Sequence, residues 1–443
     1  MSFSKDFIWG AASSSYQIEG AWSTDGKGRN IWDDFTHKAG HIANDETGDI
    51  ACDSYNKYEE DVKVISQMGL DAYRFSISWA RIFPNGRGEV NEKGLAYYDK
   101  LVDALIEKGI EPFITLFHWD LPSALQEIGG WANRETAVAF SVYAKLIAKH
   151  FEGRVKNYFT LNEPQCTIGH GLILGLHAPG YKVEQSLALQ CMHNILLAHG
   201  MAVSAMRQVV KDINIGIAST GRLCYPSVLT KENIESARAS SFLVDDNTWY
   251  FSHTWVVDPI VLGKYPESES KTINDFKATV SKEDLEIISA PIDILGVNVY
   301  NGQEIDANGN RVKPYKGAPV TALKWPVTPK VMHMSLIYLQ ERYNLPIYIT
   351  ENGLSCNDKI HLDNSVHDPD RIDFLHRYLR ELEKACEENG NIKGYFQWSL
   401  CDNFEWHSGY DERFGLVFID YNTLERIPKD SALWYKEFIA KNK

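Results

Sequence analysis

Two glutamates stand in matching surroundings, Glu163 in Tyr158-Phe-Thr-Leu-Asn-Glu-Pro164 and Glu351 in Ile347-Tyr-Ile-Thr-Glu-Asn-Gly353. Each follows a run of β-branched and aromatic residues and precedes a turn signal, so each reads as a carboxylate delivered at a strand end. Two carboxyl groups of unequal acidity suit cleavage of a glycosidic bond. One stays protonated to give its proton to the departing oxygen, and the other stays ionised to attack or stabilise the anomeric carbon. A single strand-end Glu is as readily a surface or cap residue, and it is the pair that carries the reading. The two lie 188 positions apart, so they meet only in a fold that gathers distant strand ends at one place.

Their neighbours add chemistry. Asn162 adjoins Glu163 and Asn352 adjoins Glu351, and an amide beside a carboxylate can hydrogen-bond a sugar hydroxyl or fix a rotamer. For Asn352 the plain reading as an Asn-Gly turn stands equally. Arg74, within Tyr73-Arg-Phe-Ser-Ile-Ser-Trp79, is a cation in a strand. Turned inward it requires an anion, and beside one of the carboxylates it would hold that group ionised; the alternative is a rim ion pair outside the chemistry. Aromatic residues gather at expected strand ends, namely Trp119, Trp398, Trp406, Tyr300 and Phe414, near the polar His118, Asn298 and Glu405. Sugar rings lay their C–H faces on aromatic planes, so this grouping suits a carbohydrate pocket, although core packing accounts for any one ring alone. The 14 histidines are scattered and no H-E-x-x-H run occurs, so no metal is expected. Cys166 reads as a small buried residue beside a crowded site rather than as a nucleophile.

Eight segments could position these groups: Phe7 to Ala12, Ala72 to Trp79, Glu111 to His118, Tyr158 to Glu163, Ile213 to Ser219, Ile292 to Tyr300, Pro346 to Glu351 and Ile392 to Leu400. Helical periodicity fills the intervals over Tyr55 to Met68, Gly94 to Lys108, Arg134 to His150, Gln185 to Val210, Lys231 to Trp249, Thr328 to Arg342 and Pro369 to Glu388. Nearly continuous apolar strands alternating with helices predict a parallel sheet covered on both faces, and eight repeats predict a closed (β/α)8 (TIM) barrel of the α/β class. An open doubly wound sheet is the competing architecture. The phosphate-cradling G-x-G-x-x-G and G-x-x-x-x-G-K-[ST] loops that accompany such sheets are missing, and no cofactor is expected. The surplus over a bare barrel of roughly 250 residues falls in long loops at the C-terminal rim. No linker divides the chain, and residues 1–443 are expected to form a single catalytic domain.

A net charge of -14 argues against nucleic acid or an anionic membrane as a partner. The first residues lack the apolar run of a signal peptide, and seven cysteines without Cys-x-x-Cys spacing suggest reduced thiols, so a cytoplasmic location is expected. The expected partner is a small-molecule β-glycoside.

In order along the chain, Phe7-Ile-Trp-Gly-Ala-Ala, Ser15-Tyr-Gln-Ile-Glu-Gly20, Tyr73 to Trp79, Leu116-Phe-His-Trp-Asp120, Thr160-Leu-Asn-Glu-Pro164, Ile349-Thr-Glu-Asn-Gly353 and Asn403-Phe-Glu-Trp406 resemble the motifs of the family 1 glycoside hydrolases. The resemblance implies that Glu163 is the general acid/base and Glu351 the nucleophile of a retaining β-glycosidase. It implies further that Gln17, His118, Asn162, Trp398, Glu405 and Trp406, with Trp119, line the sugar pocket. Arg74 and Tyr300 would flank the nucleophile, with Asn298 and Phe414 close by. Glu405 would repel a sugar 6-phosphate, and the presence of Glu163 sets the chain apart from the thioglucoside-cleaving branch, which carries Gln there. Trp325 is a candidate wall of the leaving-group site or a loop anchor. His407 departs from the small residue usual in the family. Transglycosylation and a non-catalytic sugar-binding role on the same barrel are the alternative functions.

Overall fold

The computed structural model describes residues 3–389 and 391–443. Eight parallel strands close into a barrel: β1 Ile8–Ala12, β2 Ala72–Ser76, β3 Glu111–Phe117, β4 Asn157–Asn162, β5 Asn214–Ser219, β6 Ile294–Asn298, β7 Ile347–Asn352 and β8 Ile392–Trp398. Each falls on one of the eight expected segments, and the ring is completed where β1 pairs with both β2 and β8.

The strands are buried on both faces, which explains why their sequences run apolar rather than alternating. Inside the barrel every strand contributes to one cluster: Ala12, Ala72, Phe113, Phe159, Ala218, Ile294, Tyr348 and Phe396. Alanines on β1, β2 and β5 leave room for rings from β3, β4, β7 and β8, so the lumen is a packed plug rather than a pore. Gly10 belongs to the same economy of space, because a Cβ there would lie 2.6 Å from the Phe396 ring.

Outside the strands lie the larger helices, α1 Ser54–Met68, α2 Glu92–Glu107, α3 Arg134–His150, α4 Gln185–Val209, α5 Lys231–Phe242, α6 His253–Leu262, α7 Val331–Tyr343, α8 Pro369–Asn389 and α9 Asp430–Asn442. In α2 the buried residues Leu95, Tyr98, Leu101, Val102 and Leu105 recur at helical spacing, the pattern of a helix with one face on a core. Gly69 ends α1 in the left-handed conformation at φ 69 and returns its N–H to the carbonyls of Ile65 and Ser66. The helix expected over Lys231 to Trp249 stops at Phe242. Beyond it the Asp245 carboxylate captures the N–H groups of Asn247 and Thr248 and the Thr248 hydroxyl, a local turn that competes with helical bonding.

The rim loops carry small elements absent from the sequence expectations. Cys224–Pro226 pairs with Gln303–Ile305, and Val417–Asp420 forms an antiparallel hairpin with Glu425–Pro428. A buried charge network clamps the rim: Lys429 reaches Asp358 (2.5 Å) and Asp402 (2.6 Å), Asp402 also accepts from Arg413 (2.6 Å), and Arg371 reaches Asp358 (2.8 Å) and Asp368. It joins the loops after β7 and β8 to the start of α9. Among the described residues no helix is long and apolar enough to cross a membrane.

Candidate active site

At the C-terminal ends of the strands the regular register breaks in three places. Shifts occur in the β4/β5 pairing between Phe159 and Asn162, in β6/β7 between Val297 and Asn298, and in β7/β8 between Tyr395 and Gln397. Such irregularities re-aim side chains, and they occur at the residues whose side chains converge. Glu163 follows β4 with its backbone in the left-handed region at φ 45 and its N–H on the Ala218 carbonyl at 2.8 Å. Pro164 then opens the short helix Pro164–Ile168. Trp119 and Trp406 also hold positive φ, so three non-glycine residues of the same rim sit in a conformation that only surrounding structure sustains.

Glu163 and Glu351 are buried, 6% and 4% exposed, and a set of shared partners holds them. Arg74, fully buried, donates from Nη1 to Glu351 Oε1 (2.9 Å) and the Thr350 carbonyl (3.2 Å), and from Nη2 to Asn162 Oδ1 (2.7 Å). Tyr300 donates its hydroxyl to Glu351 Oε2 at 2.8 Å. Asn298 donates from Nδ2 to Glu163 Oε1 (2.7 Å) and Asn162 Oδ1 (3.1 Å), while its Oδ1 accepts from the Thr350 hydroxyl (2.5 Å). Arg74 is therefore no detached rim ion pair.

These partners make the two acids unequal. Burial, and after it the charge of Glu351, push Glu163 up to about 7. Burial also raises Glu351, but the Arg74 charge and the hydrogen bonds from Arg74 and Tyr300 oppose that rise. The single proton of the half-ionised pair consequently resides on Glu163.

Both acids open into a cavity of about 570 Å³ whose wall includes His118, Trp119, Asn298, Tyr300, Trp325, Trp398, Glu405, Trp406 and Phe414. Trp119 and Trp406 lie 4.5 Å apart between ring centres, and Trp325 borders Tyr300 and Phe414 at 5.3 and 6.2 Å. Burial and Arg74 keep His118 neutral. Its Nε2 takes a bond from Asn162 Nδ2 at 3.0 Å, which assigns the ring proton to Nδ1, an atom with no partner among the described residues. Burial first, then the charges of Glu351, Glu412 and Glu163, raise Glu405 to about 8.

Other expected residues stand behind this surface. Gln17 is fully buried, accepts from the Ser14 hydroxyl (2.6 Å) and donates to Asn403 Oδ1 (3.0 Å), the Phe404 carbonyl (2.9 Å) and, at 3.4 Å, Glu405 Oε2. Asn162 is likewise engaged by Arg74, Asn298 and His118. Asn352 bridges the Val299 carbonyl (2.6 Å) and the Tyr395 hydroxyl (2.8 Å), locking strands rather than facing the cavity. Cys166 lies in the wall with its thiol raised by burial. The wall also contains His170, His177, Thr220 and Phe251, which sequence reasoning did not single out. They sit in rim loops and helical turns too short to show an inward-facing period.

A parallel barrel that presents two buried carboxyls of unequal acidity at its C-terminal mouth, within an aromatic and polar cavity, has the architecture of a glycoside hydrolase. The sequence model of Glycosyl hydrolase family 1 matches residues 1–443. Beta-glucosidase A of Thermotoga maritima is 43% identical over 99% of this chain and 98% of its own, and Beta-glucosidase A of Acetivibrio thermocellus is 42% identical over 100% and 99%. The solved Thermotoga maritima family 1 β-glucosidase superposes with a TM-score of 0.91 at 42% identity, covering 99% of this chain and 98% of that one. A structure of that enzyme in complex with glucoimidazole gives 0.90 at 42% identity, with 99% of each chain covered. The chain belongs to glycosyl hydrolase family 1 and is a retaining glycoside hydrolase.

Proposed function

We propose that the protein is a β-glucosidase that hydrolyses short unphosphorylated β-glucosides, cellobiose and aryl β-glucosides among them, with Glu351 as nucleophile and Glu163 as acid/base. The observation that carries this reading is the asymmetry of the pair: Arg74 and Tyr300 attend Glu351, while burial and the neighbouring charge keep the proton on Glu163. In the first step a Glu351 oxygen bonds to the anomeric carbon as the glycosidic C–O bond breaks, and the Glu163 proton passes to the leaving oxygen. In the second, Glu163 takes a proton from water, whose oxygen displaces Glu351 and restores the original anomeric configuration.

The names of the relatives support glucosides as the substrate class. Glu405 supplies hydrogen bonds to sugar hydroxyls from a wall held by Gln17 and Asn162, His118 lends that wall its ring, stacked on Trp398 and Trp406, and Trp398, Trp406, Trp119 and Phe414 supply faces for the sugar. Trp325 forms part of the leaving-group wall. Residues 1–443 act as one catalytic domain and need no cofactor. Seven cysteines, none in a disulfide, fit a cytoplasmic setting.

A proton NMR time course of a purified aryl β-glucoside with the protein tests the reading. Initial β-glucose is expected. Initial α-glucose would reject the double displacement, and no hydrolysis would reject the β-glucosidase assignment.

A further inference from the structure

Three histidines, His170, His177 and His407, meet in the wall of the cavity that holds Glu163. Cys166 and His170 follow Glu163 in the short helical stretch that leads away from the acid, and the leaving group departs on the acid's side. His170 is half-buried, His177 is 6% exposed and His407 is exposed. The His177 Nε2 lies 3.3 Å from His407 Nδ1, and the His170 and His177 rings meet edge to face at 4.7 Å. Trp32 and Trp119 hold the His177 ring from two further sides, each at 5.4 Å.

The protons of this cluster can be placed. Burial keeps the His170 and His177 rings neutral near pH 7, with His170 lowered to about 4, and partial desolvation lowers the more open His407 as well. A neutral ring carries one N–H. The Nδ1 atoms of His170 and His177 are occluded and without partners, and an occluded lone pair is tolerated better than an occluded N–H. Both rings therefore carry the proton on Nε2. His177 Nε2 then donates to His407 Nδ1, which obliges His407 to carry its own proton on Nε2. His170 Nε2 is not among the occluded atoms and has no partner among the described residues, so it is a second unengaged N–H, and both His170 and His407 line the cavity.

We infer that His177 is a positioning residue that fixes the tautomer of His407, and that His407 and His170 present a pair of N–H donors to the leaving group, selecting a sugar over an unsubstituted aryl group. A second glucose unit offers hydroxyl oxygens to these donors, whereas a phenyl group offers only a face. The inference rests on the β-glucosidase reading and specifies the substrate class of the same site.

The test compares kcat/KM on cellobiose and on phenyl β-glucoside. The wild type must hydrolyse both; activity on neither overturns the β-glucosidase reading itself. In His407→Phe the cellobiose-to-phenyl ratio is expected to fall about tenfold, the worth of one good hydrogen bond. His407→Gln, which keeps an N–H donor, should restore most of that ratio. A ratio unchanged in His407→Phe, with the wild type active, overturns the inference alone. Long-range ¹⁵N NMR of histidine-labelled protein should report His407 in its Nε2–H form, and His177→Phe should release it to a mixture of forms. An Nδ1–H form of His407 in the wild type would refute the tautomer argument independently of activity and of any variant's stability.

Discussion

Replacing Arg74 by Met removes the only cation in contact with Glu351 among the described residues while keeping most of the side-chain bulk. The nearest nitrogen and oxygen lie 2.9 Å apart, with side chains 0% and 5% exposed. Charge centres about 4 Å apart interact by about 4 kcal/mol at an effective dielectric constant of about 20, and breaking one side of a buried pair costs about 3–5 kcal/mol. Glu351 escapes part of that cost by taking up a proton, so its pKa moves up from the wild-type value. In the singly protonated pair the proton then spends time on the wrong carboxyl, and the productive arrangement becomes a minority. The expected result is a fall in kcat/KM of roughly 10²-fold, from about 3 kcal/mol, with the acid limb of the pH profile displaced upward. The folded state would then bind more protons at Glu351 than the unfolded chain does, so the loss of stability grows as pH rises. The assay is the pH dependence of kcat/KM on an aryl glucoside beside urea unfolding at pH 5 and 8. An acid limb left in place, with normal folding, would refute the assignment of Arg74 as the group that keeps Glu351 ionised. Arg74→Lys retains charge but offers fewer donors to Asn162 and the Thr350 carbonyl, so it should fall between the two.

The remaining expectations concern other members of the site and its frame. In the wild type, turnover of substrates with poor leaving groups should decline as pH rises through about 7, where Glu163 loses its proton; Glu163→Gln should abolish that limb and slow such substrates by about 10²–10⁴-fold. Because Glu163 is raised on folding, its contribution to stability declines as pH rises between its unfolded value of about 4.3 and about 7, so Glu163→Gln should flatten that part of the urea-unfolding profile; an unaltered slope would count against the raised value. Tyr300→Phe deletes the 2.8 Å bond to Glu351 and should lower kcat/KM about tenfold or more with little change in thermal midpoint. Lys429→Met takes one of two cations from each of the buried Asp358 and Asp402, leaving Arg371 and Arg413 in place, and should cost about 1–3 kcal/mol in urea unfolding, less than the loss of a sole partner; a loss under about 1 kcal/mol would mean that water reaches the network.

The barrel was legible because its strands are buried on both faces, which writes continuous apolar runs such as Phe113 to Phe117 into the chain. Both carboxyls were legible for the same reason, as strand ends are punctuated by Pro164 and by Asn352-Gly353. The end of α5 was not, because the Asp245 side chain overrides a helical pattern that continues in composition. The sequence also could not separate a residue on the cavity surface from one just behind it. Gln17, Asn162 and Asn352 differ in this through hydrogen bonds to Asn403, Arg74 and Tyr395, partners between 43 and 386 positions away. His170 and His177 were hidden because the short rim elements that carry them are too brief to show a period, whereas His407 stood out only as a departure from the family's small residue.

The ring closes between β1 and β8, with Ile8 paired to Gly394, 386 positions apart. During synthesis at roughly 5–20 residues per second, the edge of the first strand waits roughly 20 to 80 s for its second neighbour. Over that interval the nascent chain holds an open apolar strand edge, the kind of surface that recruits other chains. Shorter delays, over 188 and 242 positions, separate the acid at 163 from Arg74's anion at 351 and from Glu405, so a prematurely ended chain has no weakened active site but none at all. Dependence on chaperones and catalytic competence would then be set by one event, the arrival of the eighth strand.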